Sequence, residues 1–583
     1  MEKVMNNRIY LASALVLICA VAAGQNLDPT VVVSRDYEGK LMEVHKPKLE
    51  MAVPDSVLRF DLDFDYSVSD SPYKGAYDFT PYVLDMKPSP VMREAGKLYL
   101  NAGAGYQLHP ELDLVWSPDL KSRSFRMNVF ARHRSFLGQY WDIEPSGGAP
   151  GLVFDRGMSG SVWEGSDMSN KAGVDGRFDW EKGMLGFDVA YNGLMQQESR
   201  RQGMSRAFNA VDASLSVRSK DKPDARFGYM TDIDYRFGSD ALTLPSEARL
   251  NESLLAVDAS FFARIAKFDR IRLDLGYDMA GYDGFFNAAA STVVIAPHYS
   301  WMKENWDIDL GVKLAKVFRA RGVSEMYQNR IQSIYPDVKI GFKGIPSLYL
   351  YVEAGGGPSL ETYSSLLKYD RHVNMFYGNG MGPLLDVTDQ SVYASAGIDG
   401  RITTRFSYAF KGGYSRYKLA PLSSVSYDTE YLRWSVPGIS YVPYSKVFAA
   451  FECRLATERL DMDLSAEYSH HLGEYEVGVL LPASLTGNAS FRYNWMKRIY
   501  AGVSCEASTA RRGTLTYLHG EGGFDRPDSF PGYVDLGVDL EYVINRRISV
   551  WAKGRNLMGM TIQRSIFYAE KGPYFTLGFC LNI

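Results

Sequence analysis

The chain has 583 residues, among them 39 Tyr, 30 Phe and 53 Gly, with a net charge of −4, a pI near 6.1 and a mean hydropathy of −0.20. That length fits either several domains or one large barrel, and the low hydropathy excludes a bundle of apolar helices but not a membrane barrel, whose strands alternate apolar and polar residues. No block of Lys or Arg stands out, so the charge pattern argues against a nucleic-acid partner.

The first element is a leader. Lys3 and Arg8 precede an apolar run from Ile9 to Val21, and Ala22, Ala23 and Gly24 offer a small-residue cleavage site. This predicts a secretory signal peptide over 1–24, since the run is shorter than the ~20 residues a spanning helix needs. Cys19 follows Ile18 rather than a small residue, which rejects lipidation there. Residues 25–56 read as a short periplasmic segment, and 57–583 as a transmembrane β-barrel. The mature chain keeps Cys453, Cys505 and Cys580, too few and too odd a set for a disulfide framework. Cys453 and Cys505 sit in the apolar register of their strands.

From residue 57 the sequence alternates with period 2. In "VLRFDLDFDYSVSD", Leu58, Phe60, Leu62, Phe64, Tyr66 and Val68 face one way, while Asp61, Asp63 and Asp65 face the other. The same pattern predicts 22 strands, at 57–68, 97–117, 122–133, 170–180, 184–193, 207–218, 225–237, 252–264, 269–279, 291–302, 304–317, 332–343, 346–355, 389–398, 400–411, 444–456, 458–469, 484–495, 497–508, 531–543, 546–557 and 572–583. Tight polar turns such as 181–183, 399–401, 496–498 and 545–547 alternate with long connections at 134–169, 318–331, 356–388, 412–443, 509–530 and 558–571. Small turns at one end and large loops at the other describe an outer-membrane barrel, with the turns in the periplasm. "KLYLNAGAGYQLHPELDLVWSP" keeps one register through His109-Pro110, and reads as a single long strand kinked at Pro110.

A barrel of this size with this loop asymmetry resembles the barrel of TonB-dependent receptors. The residues "RRISVWAKGRNLMGM", 546–560, are similar to that family's penultimate strand, which ends at an Asn-Leu pair, here Asn556-Leu557. "YFTLGFCLNI" then resembles the closing strand, although it ends on Ile583 rather than an aromatic residue. In that family a folded plug precedes and fills the barrel. Only about thirty residues separate the leader from the first strand here, with no convincing TonB-binding box, so the resemblance covers a barrel lacking the N-terminal plug. A barrel this wide leaves an aqueous channel unless something fills it. Folded-in loops, the 25–56 segment or a partner protein are the candidates.

Functional motifs are sparse. The adjacent His470-His471 has no Cys or carboxylate at ligand spacing, so no metal site is expected. The Gly-rich 355–358 and 377–383 open no helix, so phosphate binding is not expected, and no G-x-S-x-G motif occurs. No catalytic residue, cofactor or enzymatic activity is assigned. Asp61, Asp63 and Asp65, with Arg272, Lys313 and Lys316, are placed on the inward face. Trp116, Trp180, Trp301 and Trp495 fit aromatic girdles at the two membrane interfaces. The aromatic loops 134–169 and 412–443 serve equally as a lid over the lumen or as a contact surface. The expected partners are outer-membrane lipid and a surface or periplasmic lipoprotein. Two functions remain open: a loop- or partner-gated conduit for a solute, or a structural subunit of an outer-membrane complex.

Overall fold

The structure, a computed structural model, describes residues 97–583 apart from stretches in loops and turns such as 320–332, 376–385 and 429–435. The leader, the 25–56 segment, the expected strand 57–68 with Asp61, Asp63 and Asp65, and the Gly-rich 377–383 lie outside the described residues.

Among the described residues, 22 strands close into one antiparallel barrel. Leu98–Gly105 pairs on one side with Glu111–Trp116 and on the other with Tyr574–Asn582, so the circuit closes without residues 57–68. The expected single strand 97–117 is therefore a hairpin. Leu98 faces Trp116, Leu100 faces Leu114 and Ala102 faces Leu112, with Tyr99 facing Val115 and Asn101 facing Asp113 between them, so every pair joins residues of the same parity. Such a hairpin preserves the alternation phase, which is why the register read as continuous. His109 fixes the turn, its ring nitrogens lying 2.6 Å from the Gln107 carbonyl and 2.7 Å from the Thr576 hydroxyl.

The two faces of the wall separate as alternation demands. In Trp306–Arg319, Leu310 is 45% exposed and points outward with Val312, Leu314 and Phe318. Asp309 points inward, where it accepts a hydrogen bond from His298 Nδ1 at 3.0 Å and pairs with Arg272. The outer face is an apolar band of Val, Ile, Leu, Phe and Tyr, as lipid requires, and the protein is an outer-membrane barrel. The inner face carries cross-strand ion pairs, including Arg134–Asp113 at 2.7 Å, Arg492–Glu541 at 2.8 Å and Arg555–Asp539 at 2.9 Å. Lys313 is inward, 3.4 Å from Asp337. Lys316 is not: it shares the outward register of Leu314 and Phe318, and it stays in water because it lies near the outer end of its strand. Trp116, Trp180, Trp301 and Trp495 all sit at the short-turn end, so they mark one interface rather than two.

Wall height is uneven. Strands beside the seam are short, Glu111–Trp116 having 6 residues and Ile548–Arg555 8, whereas Ala248–Arg264 has 17 and Phe406–Asp428 23. Roughly ten tilted residues suffice to cross lipid. The tall sector therefore rises above the membrane and forms a deep outer mouth. Much of what read as loop is this extension: 412–443 belongs mostly to the paired strands Phe406–Asp428 and Val436–Ala456, and 509–530 to a hairpin of Arg511–His519 with Gly522–Phe530.

Candidate functional site

The outer mouth is occupied by the chain itself. Two connections fold inward, residues 362–375 and 556–570, and are called here the first and second flap.

The first flap opens with a short helix, Tyr363–Tyr369. Thr362 caps it: its hydroxyl accepts from Ser365 N–H at 3.2 Å, and its own N–H donates to the Ser365 hydroxyl at 2.8 Å. Leu366, Leu367, Val373 and Met375 are buried against Phe208, Leu242, Leu250, Ala280, Leu419 and Ile439, which come from wall strands on widely separated parts of the circuit. Arg206 and Asp240 share the inward register of adjacent strands and form a pair at 3.0 Å, with side chains 2% and 0% exposed. The remaining Arg206 donors hold the flap, reaching the Tyr363 hydroxyl at 2.8 Å and the Arg371 carbonyl at 2.9 Å. Tyr363 donates in turn to Asp240. Glu252 holds the helix start, accepting from the Tyr282 hydroxyl at 2.9 Å, from Ser364 N–H at 3.1 Å and from the Ser364 hydroxyl. Arg371 pairs with Asp167.

The second flap follows Ile548–Arg555, so the chain turns inward at Asn556-Leu557, where the family pattern ends its strand. The Asn556 side chain closes the turn, donating to the Met560 carbonyl at 2.9 Å and accepting from Met560 N–H at 3.1 Å. Arg564 anchors the flap to the wall through Glu506 at 2.8 Å and Asp535 at 3.2 Å, and also binds Glu570. Ile566, Phe567 and Ala569 pack with Ile143, Leu480, Leu515 and Phe530. Some of these partners belong to a belt of outer strands. In it Gly522–Phe530 pairs with Leu152–Arg156, and Arg511–His519 pairs with the tip of Phe406–Asp428.

The flaps meet each other. The Ser565 hydroxyl donates to Asp370 at 2.6 Å, and the His372 and Tyr568 rings stack at 3.5 Å between centroids, 13° from parallel. Burial raises the Asp370 carboxyl above its ordinary range, against the lowering effect of hydrogen bonds from Ser565 and the His372 amide. Burial raises Glu570 likewise, opposed by Arg564.

Residues singled out in the sequence lie elsewhere. His471 receives the Tyr444 hydroxyl at 2.8 Å and lies 3.0 Å from the Pro482 carbonyl, a structural arrangement. Among the described residues, no group of three or more His, Cys, Asp or Glu is arranged for a metal. Arg206, Asp240, Glu252, Tyr363 and Arg564 were not evident from the sequence. The signal that could have found the first flap is the capping pattern of Thr362 and Ser365 ahead of Leu366-Leu367.

No family profile and no curated protein matches the sequence. Solved structures match the architecture closely. The FrpB iron transporter of Neisseria meningitidis superposes with a TM-score of 0.58 at 9% identity, covering 84% of this chain and 82% of its own. The siderophore receptor PirA of Acinetobacter baumannii gives 0.57 at 10% identity, covering 83% and 80%. A ferric enterobactin receptor of Pseudomonas aeruginosa gives 0.56 at 10% identity, covering 83% and 81%. This chain has the barrel fold of the TonB-dependent receptors. Identity this low shows that shared fold and nothing finer. Within the TonB-dependent receptor fold, the described residues of this chain place flaps of its own loops in the outer mouth.

Proposed function

We propose that this protein is an outer-membrane conduit for a solute, exported by its leader and gated at the outer mouth by its two flaps. The observation that carries the reading is the attachment of the first flap: Arg206 and Asp240, buried in the wall, hold Tyr363 and the Arg371 carbonyl inside the mouth. A scaffold has no need of a 22-strand circuit around such a lock, since a small barrel would anchor as well. A gate that closes by polar latches and opens under solute or partner binding explains both features. The similar structures include an iron transporter and a siderophore receptor, which makes metal chelates the first solutes to test.

Planar-bilayer recording tests the reading. The intact protein is expected to show little steady conductance, and a variant with residues 362–375 replaced by a short Gly/Ser linker is expected to conduct. Large constitutive pores from the intact protein would refute gating. A closed protein that co-purifies with a lipoprotein, and whose deletion leaves uptake of every chelate unchanged, would favour the structural-subunit reading.

A further inference from the structure

We infer that the gate parts between its two flaps, along the line where Asp370 and His372 face Ser565 and Tyr568, with each flap staying on its own sector of wall. This rests on the gated-conduit reading and specifies how that gate is cut.

Three observations carry it. First, the apolar packing is partitioned. The first flap belongs to a cluster built from Phe208, Leu242, Leu250, Ala280, Leu419 and their neighbours. The second belongs to a separate cluster with Ile143, Leu480, Leu515 and Phe530. No buried apolar residue is shared by the two clusters, so parting the flaps leaves the members of each cluster together, and the apolar contact it gives up is the edge-on packing of Tyr568 against Trp163.

Second, the charged anchors are partitioned in the same way. Arg206, Asp240, Glu252 and Asp167 tie the first flap to wall strands between residues 162 and 264. Glu506 and Asp535 tie the second, through Arg564, to wall strands between residues 499 and 543. Swinging either flap off its wall would break a buried charge network and uncover an apolar cluster together.

Third, the junction between the flaps is built differently. Its contacts among the described residues include a hydroxyl-to-carboxylate hydrogen bond and a ring stack, and the Asp370 carboxylate also feels the Arg511 cation across the line, without a direct ion pair inside either apolar cluster. Both groups can be replaced by water and solute. Water takes over the Asp370 and Ser565 partners, and the planar faces of His372 and Tyr568 become free for a solute ring.

Paired cysteines test this in a background where Cys453, Cys505 and Cys580 are replaced by Ala. One variant carries D370C with S565C, across the parting line. Two others carry S364C with E252C, and R564C with E506C, each joining a flap to its wall. Disulfide formation is read by gel mobility after thiol blocking, and channel openings by planar-bilayer recording of each variant, oxidised and reduced. Oxidation of the parting-line pair is expected to cut opening frequency at least tenfold relative to the same protein reduced. Oxidation of either flap-to-wall pair should leave openings present. Suppression by a flap-to-wall disulfide would overturn the inference, as would free opening with the parting-line disulfide formed or failure of that disulfide to form. If the chain stays closed even with residues 362–375 replaced, the conduit reading itself fails. Conduction in that variant, combined with a wrong cross-linking pattern, condemns the parting line alone.

Discussion

Replacing Arg206 with Met should free the first flap from its wall and let the mouth conduct, without unfolding the barrel. In the closed state the Asp240 side chain is fully buried and its cationic partner is Arg206, 3.0 Å away. Met keeps much of the length and apolar stem of Arg but removes the charge. The Asp240 carboxylate is then left buried with the Tyr363 hydroxyl as donor. Breaking one side of a buried ion pair costs about 3–5 kcal/mol. The penalty falls only on the state with the first flap docked on its wall, because once that flap comes off the wall Asp240 meets lumen water; this release is a different route from parting between the flaps. At about 1.4 kcal/mol per decade, the ratio of released to docked first flap should rise by roughly two to three orders of magnitude, and conductance with it. Planar-bilayer recording reads that ratio, and heat-modifiable gel mobility checks that the barrel is folded. Adding Asp240→Asn should return part of the effect, since it removes the stranded charge. A folded Arg206→Met protein with unchanged conductance would refute the assignment of this pair as the latch.

Further outcomes follow from the same geometry. Arg at Leu310, on the lipid face, should cost about 2–4 kcal/mol in a folding titration, whereas inward Asp309→Asn should cost clearly less; equal costs would mean the faces are misassigned. A tag inserted between Asp428 and Val436 should be labelled on intact cells, and one in the turn between Thr403 and Phe406 should not. Acid should tighten the gate. Asp370, facing Arg206 and Arg511 and bonded to Ser565 of the other flap, has a raised value when the flaps are together. Docking is therefore most favourable below the ordinary carboxylate range, and weakens as pH rises through the raised value. Fewer openings are expected at pH 4 than at pH 7, and the opposite trend in bilayer recordings would contradict this.

The wall was legible because a one-residue shift moves a strand's whole apolar set to the wrong face, so alternation is enforced along its length. Leu310 against Asp309 shows it: the sequence alone places them on opposite faces, and they are there. The latch was not legible, because its members are far apart in the chain. Arg206 and Tyr363 are separated by 157 residues, and Ser565 and Asp370 by 195. No local periodicity connects them, and an inward Arg or Asp near a strand end looks the same whether it meets water or a flap. The hairpin at His109 failed for a different reason, since pairing even with even residues leaves no break in phase to detect.

The connection that read as loop over 412–443 points to a rule that joins fold and site. Its strand, Phe406–Asp428, carries a register shift between Tyr417 and Ala420. A bulge resets which face each later residue takes, so a period-2 reading cannot be carried through it although the strand continues. The strands on either side of the first flap show the same feature. Leu348–Glu361 shifts between Gly355 and Gly357, and Asp386–Thr403 shifts between Asp389 and Val392. These strands lead into and out of the first flap, and Leu419, inside the shift between Tyr417 and Ala420, is buried in its cluster. Bulges re-aim side chains, and here they turn the upper wall toward a chain segment inside the barrel rather than toward a lumen. The loss of alternation and the seating of the flap inside the mouth thus have one cause. Above the membrane, where lipid no longer enforces an apolar outer face, the wall is free to be shaped by what it must hold.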